Sequence, residues 1–150
     1  MLKPGSEAPE FVLEDDLGDE TSLTDLLKDG PLILYFYPAN FTPGCTLEAC
    51  SIRDIHDDLV EVGLNVAGVS PQSPSSHERF REANRLPFVL LSDPDKAVIK
   101  MYGVDGPLGF GVRRSTFLIT QDRLIEDAIT ADIRIGLHED FIRKAVALRQ

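Results

Sequence analysis

The sequence predicts an α/β fold with a central mixed β-sheet flanked by helices, and three observations carry that prediction. The first is an unbroken apolar and aromatic run over residues 32–37. It is too short for a typical helix and apolar at every position, as a strand covered on both faces must be. The second is the alternation that follows, in which strand-like and helix-like segments take turns as far as residue 102. The third is a pair of consecutive strand-like segments, 115–120 and 124–130, joined by a short turn at Gln121-Asp122. A connection that short returns the chain antiparallel, so the sheet is parallel in its first part and antiparallel in its last.

The elements follow in order. Phe11-Val12-Leu13, an acidic turn at residues 15–20 and Thr21-Ser22-Leu23 make an edge hairpin extending the sheet at its N-terminal end. Residues 24–28 form one helical turn closed by Gly30, and Pro31 leads into the central strand. A helix is expected over residues 43–62, where Leu47, Ile52, Ile55, Leu59 and Val62 recur at helical spacing and Gly63 supplies the stop. Residues 64–69 are a second apolar strand, and 70–76 a loop rich in capping residues. A short polar helix over 77–84 and a third strand over 88–91 come next. Asp93-Pro94-Asp95 opens a further helix through Tyr102. Residues 103–113 hold four glycines and a proline and read as a loop; without Gly-Lys-Ser/Thr or a helix start behind it, a phosphate-binding role is not supported. The chain closes with an amphipathic helix from 135 or 137 to 148 that uses Phe141, Ala145 and Leu148. This order matches the thioredoxin-like arrangement.

All 150 residues fit one domain with a single substantial core, spanning residues 1–150. With 43% hydrophobic and 27% charged residues, the composition is that of an ordinary soluble globular protein. A net charge of −10 argues against nucleic acid and anionic membrane surfaces as partners. Residues 1–10 lack the basic-then-apolar pattern of a signal peptide, so the expected compartment is the cytoplasm. There, two cysteines point to reactive or buried thiols rather than a standing disulfide.

Both cysteines lie where the central strand gives way to a helix. Pro38 stops the strand. Thr42-Pro43 reads as a helix start, with Thr42 at the N-cap and Pro43 at the first helical position, where its missing N–H costs nothing. Cys45 then falls in the first turn, where unpaired backbone N–H groups and the positive end of the dipole favour a thiolate. On a regular helix Cys45 and Cys50 lie about 140° apart in projection, with Cα atoms roughly 8–9 Å apart. A disulfide requires less than about 7 Å. The two can pair only if the first turns of the helix melt.

These residues resemble the peroxiredoxins, and within them the bacterioferritin-comigratory-protein or Q-type group. The group's Pro-x-x-x-Thr-x-x-Cys core is matched by Pro38, Thr42 and Cys45, inside Tyr35-Phe36-Tyr37-Pro38 and Thr42-Pro43-Gly44-Cys45-Thr46-Leu47-Glu48-Ala49-Cys50. Further matches are Ala8-Pro9 with Phe11, Ser70-Pro71, Ser76-His77, Leu91-Ser92-Asp93 and Arg114 with Thr116-Phe117-Leu118-Ile119. The resemblance implies a thiol-dependent peroxidase. Cys45 would be the peroxidatic cysteine, forming a sulfenic acid, and Cys50 the resolving cysteine. Thr42 and Arg114 would bind peroxide, Pro38 would shield the pocket and Glu48 would orient the arginine. Thioredoxin or a similar dithiol would recycle the disulfide, and no cofactor is implied. An intramolecular partner for Cys45 is consistent with a monomer. Three positions depart from the group's pattern: Phe41 replaces a polar residue in the turn before Thr42, where it suits organic hydroperoxides, and Thr120 and Arg123 stand where Asp and Gly are usual.

Read from the residues alone, alternatives stay open. Cys50 can also be read as an inert core residue, cysteine being among the most buried residue types. Arg114 reads as a surface residue beside Arg113, Glu48 as a helix N-terminal charge, and Thr42 as a simple cap. His56, His77 and His138 share no metal-ligand spacing with the cysteines and read as solvent-facing or structural. A thioredoxin-type exchanger is disfavoured by the Cys-x-x-x-x-Cys spacing. A redox sensor switched by oxidation of Cys45 differs from a peroxidase in lacking turnover.

Overall fold

The structure, a computed structural model, describes residues 1–150. Its centre is strand β3, Leu32–Phe36, in which every residue is buried. Strand periodicity sends Ile33, Tyr35 and Tyr37 into one apolar cluster and Leu32, Leu34 and Phe36 into a second on the other face. The other strands are β1 (Val12–Asp15), β2 (Glu20–Ser22), β4 (Asn65–Ser70), β5 (Val89–Ser92), β6 (Ser115–Ile119) and β7 (Ile125–Thr130). They form a seven-stranded sheet in the order β2-β1-β5-β4-β3-β6-β7. β3 runs parallel to β4, as β4 does to β5, whereas β6 lies antiparallel to both β3 and β7. The N-terminal hairpin pairs antiparallel with β5. The mixed sheet and its hairpin extension are therefore as the sequence predicts.

The helices are α1 (Leu23–Leu26), α2 (Pro43–Asp54), α3 (His56–Glu61), α4 (Pro74–Asn84), α5 (Ala97–Met101) and α6 (Gly136–Ala147). α1 carries a capping box, Ser22 Oγ accepting from Asp25 N–H and the Asp25 carboxylate from Ser22 N–H.

Four expected helices differ in detail. The single helix expected over 43–62 is two, broken at Ile55 (φ −107°, ψ 9°). Asp57 and Asp58 sit in the first turn of α3, where acidic side chains stabilise a new helix N-terminus. The break keeps Ile52, Ile55 and Leu59 in one cluster, while Leu47 of the expected apolar stripe is exposed. α4 begins at Pro74, three residues earlier than expected, because Ser73 caps it by accepting from Ser76 N–H. α5 begins only at Ala97, since Lys96 is left-handed (φ 60°) and the Asp93 carboxylate accepts from Ile99 N–H at 2.8 Å. In α6 the buried face is His138, Phe141, Ile142, Ala145 and Val146, and the expected Leu148 is exposed.

No helix is long and apolar enough to cross a membrane.

Candidate active site

The chain leaves β3 at Tyr37, crosses a short turn and enters α2, which places Cys45 beyond the carboxyl end of the central strand. Openings of that kind are where α/β sheets hold their chemistry. Thr42 occupies the N-cap with an extended backbone (φ −84°, ψ 151°), and its carbonyl accepts the first helical bond, from Thr46 N–H at 2.9 Å. Its side chain does not cap. The Thr42 hydroxyl donates instead to Ala39 O at 3.1 Å, which corrects the expectation of a side-chain N-cap and leaves the oxygen's lone pairs unused. The first-turn N–H groups of α2, that of Cys45 among them, consequently have no intrahelical acceptor.

Cys45 is buried, 1% exposed. Its Sγ accepts from Arg114 Nη2 at 3.2 Å. Arg114, immediately before β6, is itself 6% exposed, and its Nη1 donates to Glu48 Oε1 at 2.7 Å. Glu48 lies three residues after Cys45, so both side chains project from neighbouring turns of one helix face. One guanidinium thereby spans a sulfur and a carboxylate, which only the planar fork of arginine can do. The main chain at Arg114 is fixed separately, by donation from its N–H to Asp132 Oδ1 at 2.9 Å. Gly44 is the residue that permits the approach: a Cβ there would lie 3.2 Å from Arg114 Nη2 and 2.9 Å from Ile135 Cδ1.

The electrostatics follow from burial. Burial pushes the Glu48 carboxyl up to about 7, although Arg114 beside it pulls the other way. Burial also disfavours the Arg114 charge, but Glu48 and Cys45 together hold the guanidinium protonated more firmly than usual.

A second polar cluster anchors the turn before α2. Tyr37 Oη donates to Asn40 Oδ1 at 2.7 Å, and Asn40 Nδ2 donates to Ser76 Oγ at 3.0 Å and to His77 Nδ1 at 2.9 Å. His77 Nε2 donates to Leu91 O at 3.1 Å, which fixes the tautomer because a carbonyl only accepts. Phe41, left-handed at φ 62°, packs edge-on against Phe80 at 5.2 Å between centroids and remains 55% exposed.

The structure thus brings together Cys45, Arg114 and Glu48. It keeps Cys50 apart: both cysteines are free, and Cys50 Sγ donates to Asn84 Oδ1 of α4 at 3.6 Å. Pro38 is half-buried at the start of the turn. Sequence reasoning passed over Asn40 and read His77 and His138 as solvent-facing or structural, whereas both are buried. His138 stood at helical spacing from Phe141, Ile142 and Ala145, a signal that placed it on the inner face of α6. Asn40 and His77 carry no such signal, being far apart in sequence. A cavity of about 450 Å³ lies among Asp29, His56, Asn65 and Pro87 and touches none of the site residues. The buried charged cluster is the better guide to the chemistry.

Sheet order and site define the class, a thiol-based redox protein of thioredoxin-like fold. The chain belongs to the AhpC/TSA family, whose model matches residues 4–128. It is 40% identical over 147 residues to the peroxiredoxin Bcp of Escherichia coli strain K12, covering 94% of this chain and 93% of that protein. Among solved structures it superposes on the peroxidoxin BcpB of Mycobacterium tuberculosis with a TM-score of 0.93, at 36% identity over 100% of this chain and 99% of the other. It also superposes on peroxiredoxin Q of Xanthomonas campestris with a TM-score of 0.85, at 27% identity over 99% and 96% of the two chains.

Proposed function

We propose that the protein reduces hydrogen peroxide and organic hydroperoxides with Cys45 as the reacting thiol and Cys50 as its resolving partner. The observation that carries this reading is the 3.2 Å contact between Arg114 Nη2 and Cys45 Sγ, with Glu48 holding the other end of the same guanidinium.

The Cys45 thiolate attacks one peroxide oxygen in line with the O–O bond. The S–O bond forms as the O–O bond breaks, and the departing hydroxide or alkoxide takes a proton to leave as water or an alcohol. Arg114 and the Cys45 N–H donate to the oxygens as negative charge moves between them. Thr42, whose own hydrogen goes to Ala39 O, accepts the hydrogen of the hydroperoxide and so orients it. Pro38 shields the pocket. The Cys45 sulfenic acid then loses its oxygen as water when the Cys50 thiolate attacks its sulfur, giving a disulfide before further oxidation occurs. That second step requires the first turns of α2 to unwind. Thioredoxin or a similar dithiol supplies the two electrons that restore both thiols. Because resolution is intramolecular, one chain of a single domain suffices, and the protein acts as a cytoplasmic monomer.

Peptide mass mapping after one equivalent of hydrogen peroxide, beside a Cys45→Ser control, tests the reading. A Cys45–Cys50 linkage in the wild type, absent from the control, is expected. Oxidation of Cys45 with Cys50 left free would remove Cys50 from the mechanism, and two unreactive cysteines would overturn it altogether. Turnover with catalytic amounts of protein and a dithiol distinguishes a peroxidase from a sensor that is oxidised once.

A further inference from the structure

One buried side chain reaches the site without a task in the scheme above. His138, in the first turns of α6, is 1% exposed. Its Nε2 lies 2.8 Å from Ala131 O, and since a carbonyl only accepts, Nε2 carries a proton. Its Nδ1 lies 2.8 Å from Thr116 Oγ1 and 3.6 Å from Glu48 Oε2. Glu48 Oε2 is buried and without a hydrogen-bond partner, a costly state for a carboxylate oxygen. A closure of a few tenths of an ångström would turn the contact with His138 into a hydrogen bond.

Charge counting gives the contact a purpose. A Cys45 thiolate and a Glu48 carboxylate share one guanidinium, leaving one unbalanced negative charge in a buried site. One added proton restores neutrality, whether it sits on Glu48 Oε2 or on His138 Nδ1. We propose that His138 is a positioning residue for peroxide reduction that acts through Glu48: Nδ1 and Oε2 hold one shared proton, and this fixes the carboxylate whose other oxygen aligns Arg114 on Cys45. The inference rests on Cys45 being the reacting thiol.

The charged and titratable groups around the pair are few. Cys45 and Glu48 face it from α2, and Arg114 from the start of β6. Asp132 stands in the loop before α6, engaged by Arg113 Nε and Arg114 N–H. The Tyr35 phenol reaches towards the site from β3, buried and unpartnered. Burial pushes Glu48 up to about 7 and His138 down. The carboxyl thus titrates near neutrality, where the shared proton would be exchanged.

The test is the rate of Cys45 oxidation by hydrogen peroxide in a single turnover, quenched and read by mass, from pH 5 to 9. His138→Gln keeps a donor for Ala131 O but has no titratable nitrogen. It is expected to slow oxidation at pH 7 roughly tenfold, about what the loss of one hydrogen bond to a charged group costs, and to displace the inflection near pH 7. In a Glu48→Gln background the same substitution is expected to change nothing further. Equal slowing in both backgrounds, or a slower rate on an unmoved pH profile, would assign His138 to stability alone and overturn the proposal. Should His138→Gln not fold, Thr116→Val removes only the hydroxyl that competes for Nδ1. It is expected to move the inflection upward, and an unmoved inflection overturns the proposal equally. Failure of wild-type Cys45 to react would instead overturn the peroxidase reading, so the two failures are distinct.

Discussion

Cys50 donates its thiol hydrogen to Asn84 Oδ1 on α4, 3.6 Å away, and not to any group near Cys45. The same asparagine donates from Nδ2 to Phe80 O at 3.0 Å, so the acceptor is held on its own helix. The reduced protein thus stores the two thiols on an intact α2, each with a partner from a different element.

Asn84→Ala removes the acceptor and leaves Cys45 and Arg114 untouched. With one weak hydrogen bond gone, formation of the Cys45–Cys50 disulfide after a peroxide pulse is expected to quicken by roughly threefold. Over-oxidation of Cys45 at high peroxide should fall in proportion. Quenched-flow mass analysis measures both, and an unchanged ratio of disulfide to sulfinic acid would dismiss the contact as incidental.

The disulfide itself should be visible in the backbone. Helix geometry forbids a Cys45–Cys50 bond on a regular α2, so hydrogen exchange in the oxidised protein should accelerate over residues 43–50 while β3 keeps its protection. Equal protection in both redox states would mean that the bond forms some other way.

Gly44→Ala tests the alignment of the arginine. The new methyl group meets the flexible end of Ile135 and Arg114 Nη2, so the fold yields cheaply while the guanidinium is displaced from Cys45. The expected result is about tenfold slower oxidation of Cys45 with little change in thermal midpoint. A full-rate variant would show that Arg114 needs no such precision.

Glu48 makes stability depend on pH in an unusual direction. Burial raises its carboxyl from 4.5 to about 7, so between those values the folded protein binds the proton more readily than the unfolded chain. Stability contributed by this group is present below pH 4.5 and is lost as pH rises through 7. Glu48→Gln is expected to remove that pH dependence, on the order of 3 kcal/mol between pH 4.5 and 8, read from urea unfolding at pH 4.5, 6 and 8. Parallel curves for variant and wild type would refute it.

His77 acts oppositely. Burial lowers it from 6.5 to about 4, so the neutral ring that Asn40 and Leu91 require is favoured in the folded state. Its contribution is complete above pH 6.5 and is lost as pH falls towards 4. His77→Gln should flatten the acid side of the stability profile by an amount on the order of 2–3 kcal/mol. An unaltered acid limb would mean that the ring is protonated in the native protein.

Much of this molecule was written locally. The run over residues 32–37 forms the central strand because apolar side chains at every position suit a strand covered on both faces. Thr42-Pro43 started a helix, and Ser73-Pro74, the same signal, started another that the sequence reading placed three residues late. The break at Ile55 was not legible from apolar spacing, because Ile52, Ile55 and Leu59 fit one helix as well as two. Only the acidic Asp57-Asp58 pair hinted at a second N-terminus.

By itself the sequence determined the α/β order, the mixed sheet and the position of Cys45 in the first turn of a helix. Those are consequences of periodicity, capping and chain stiffness, which act over a few residues. Tertiary structure alone decided that Arg114 reaches Cys45 across 69 positions of chain, that Cys50 turns to Asn84, and that His138 Nδ1 comes to lie 3.6 Å from Glu48 Oε2. Such contacts depend on how β6 and α6 pack against α2, and no local pattern of residues encodes a distance between elements.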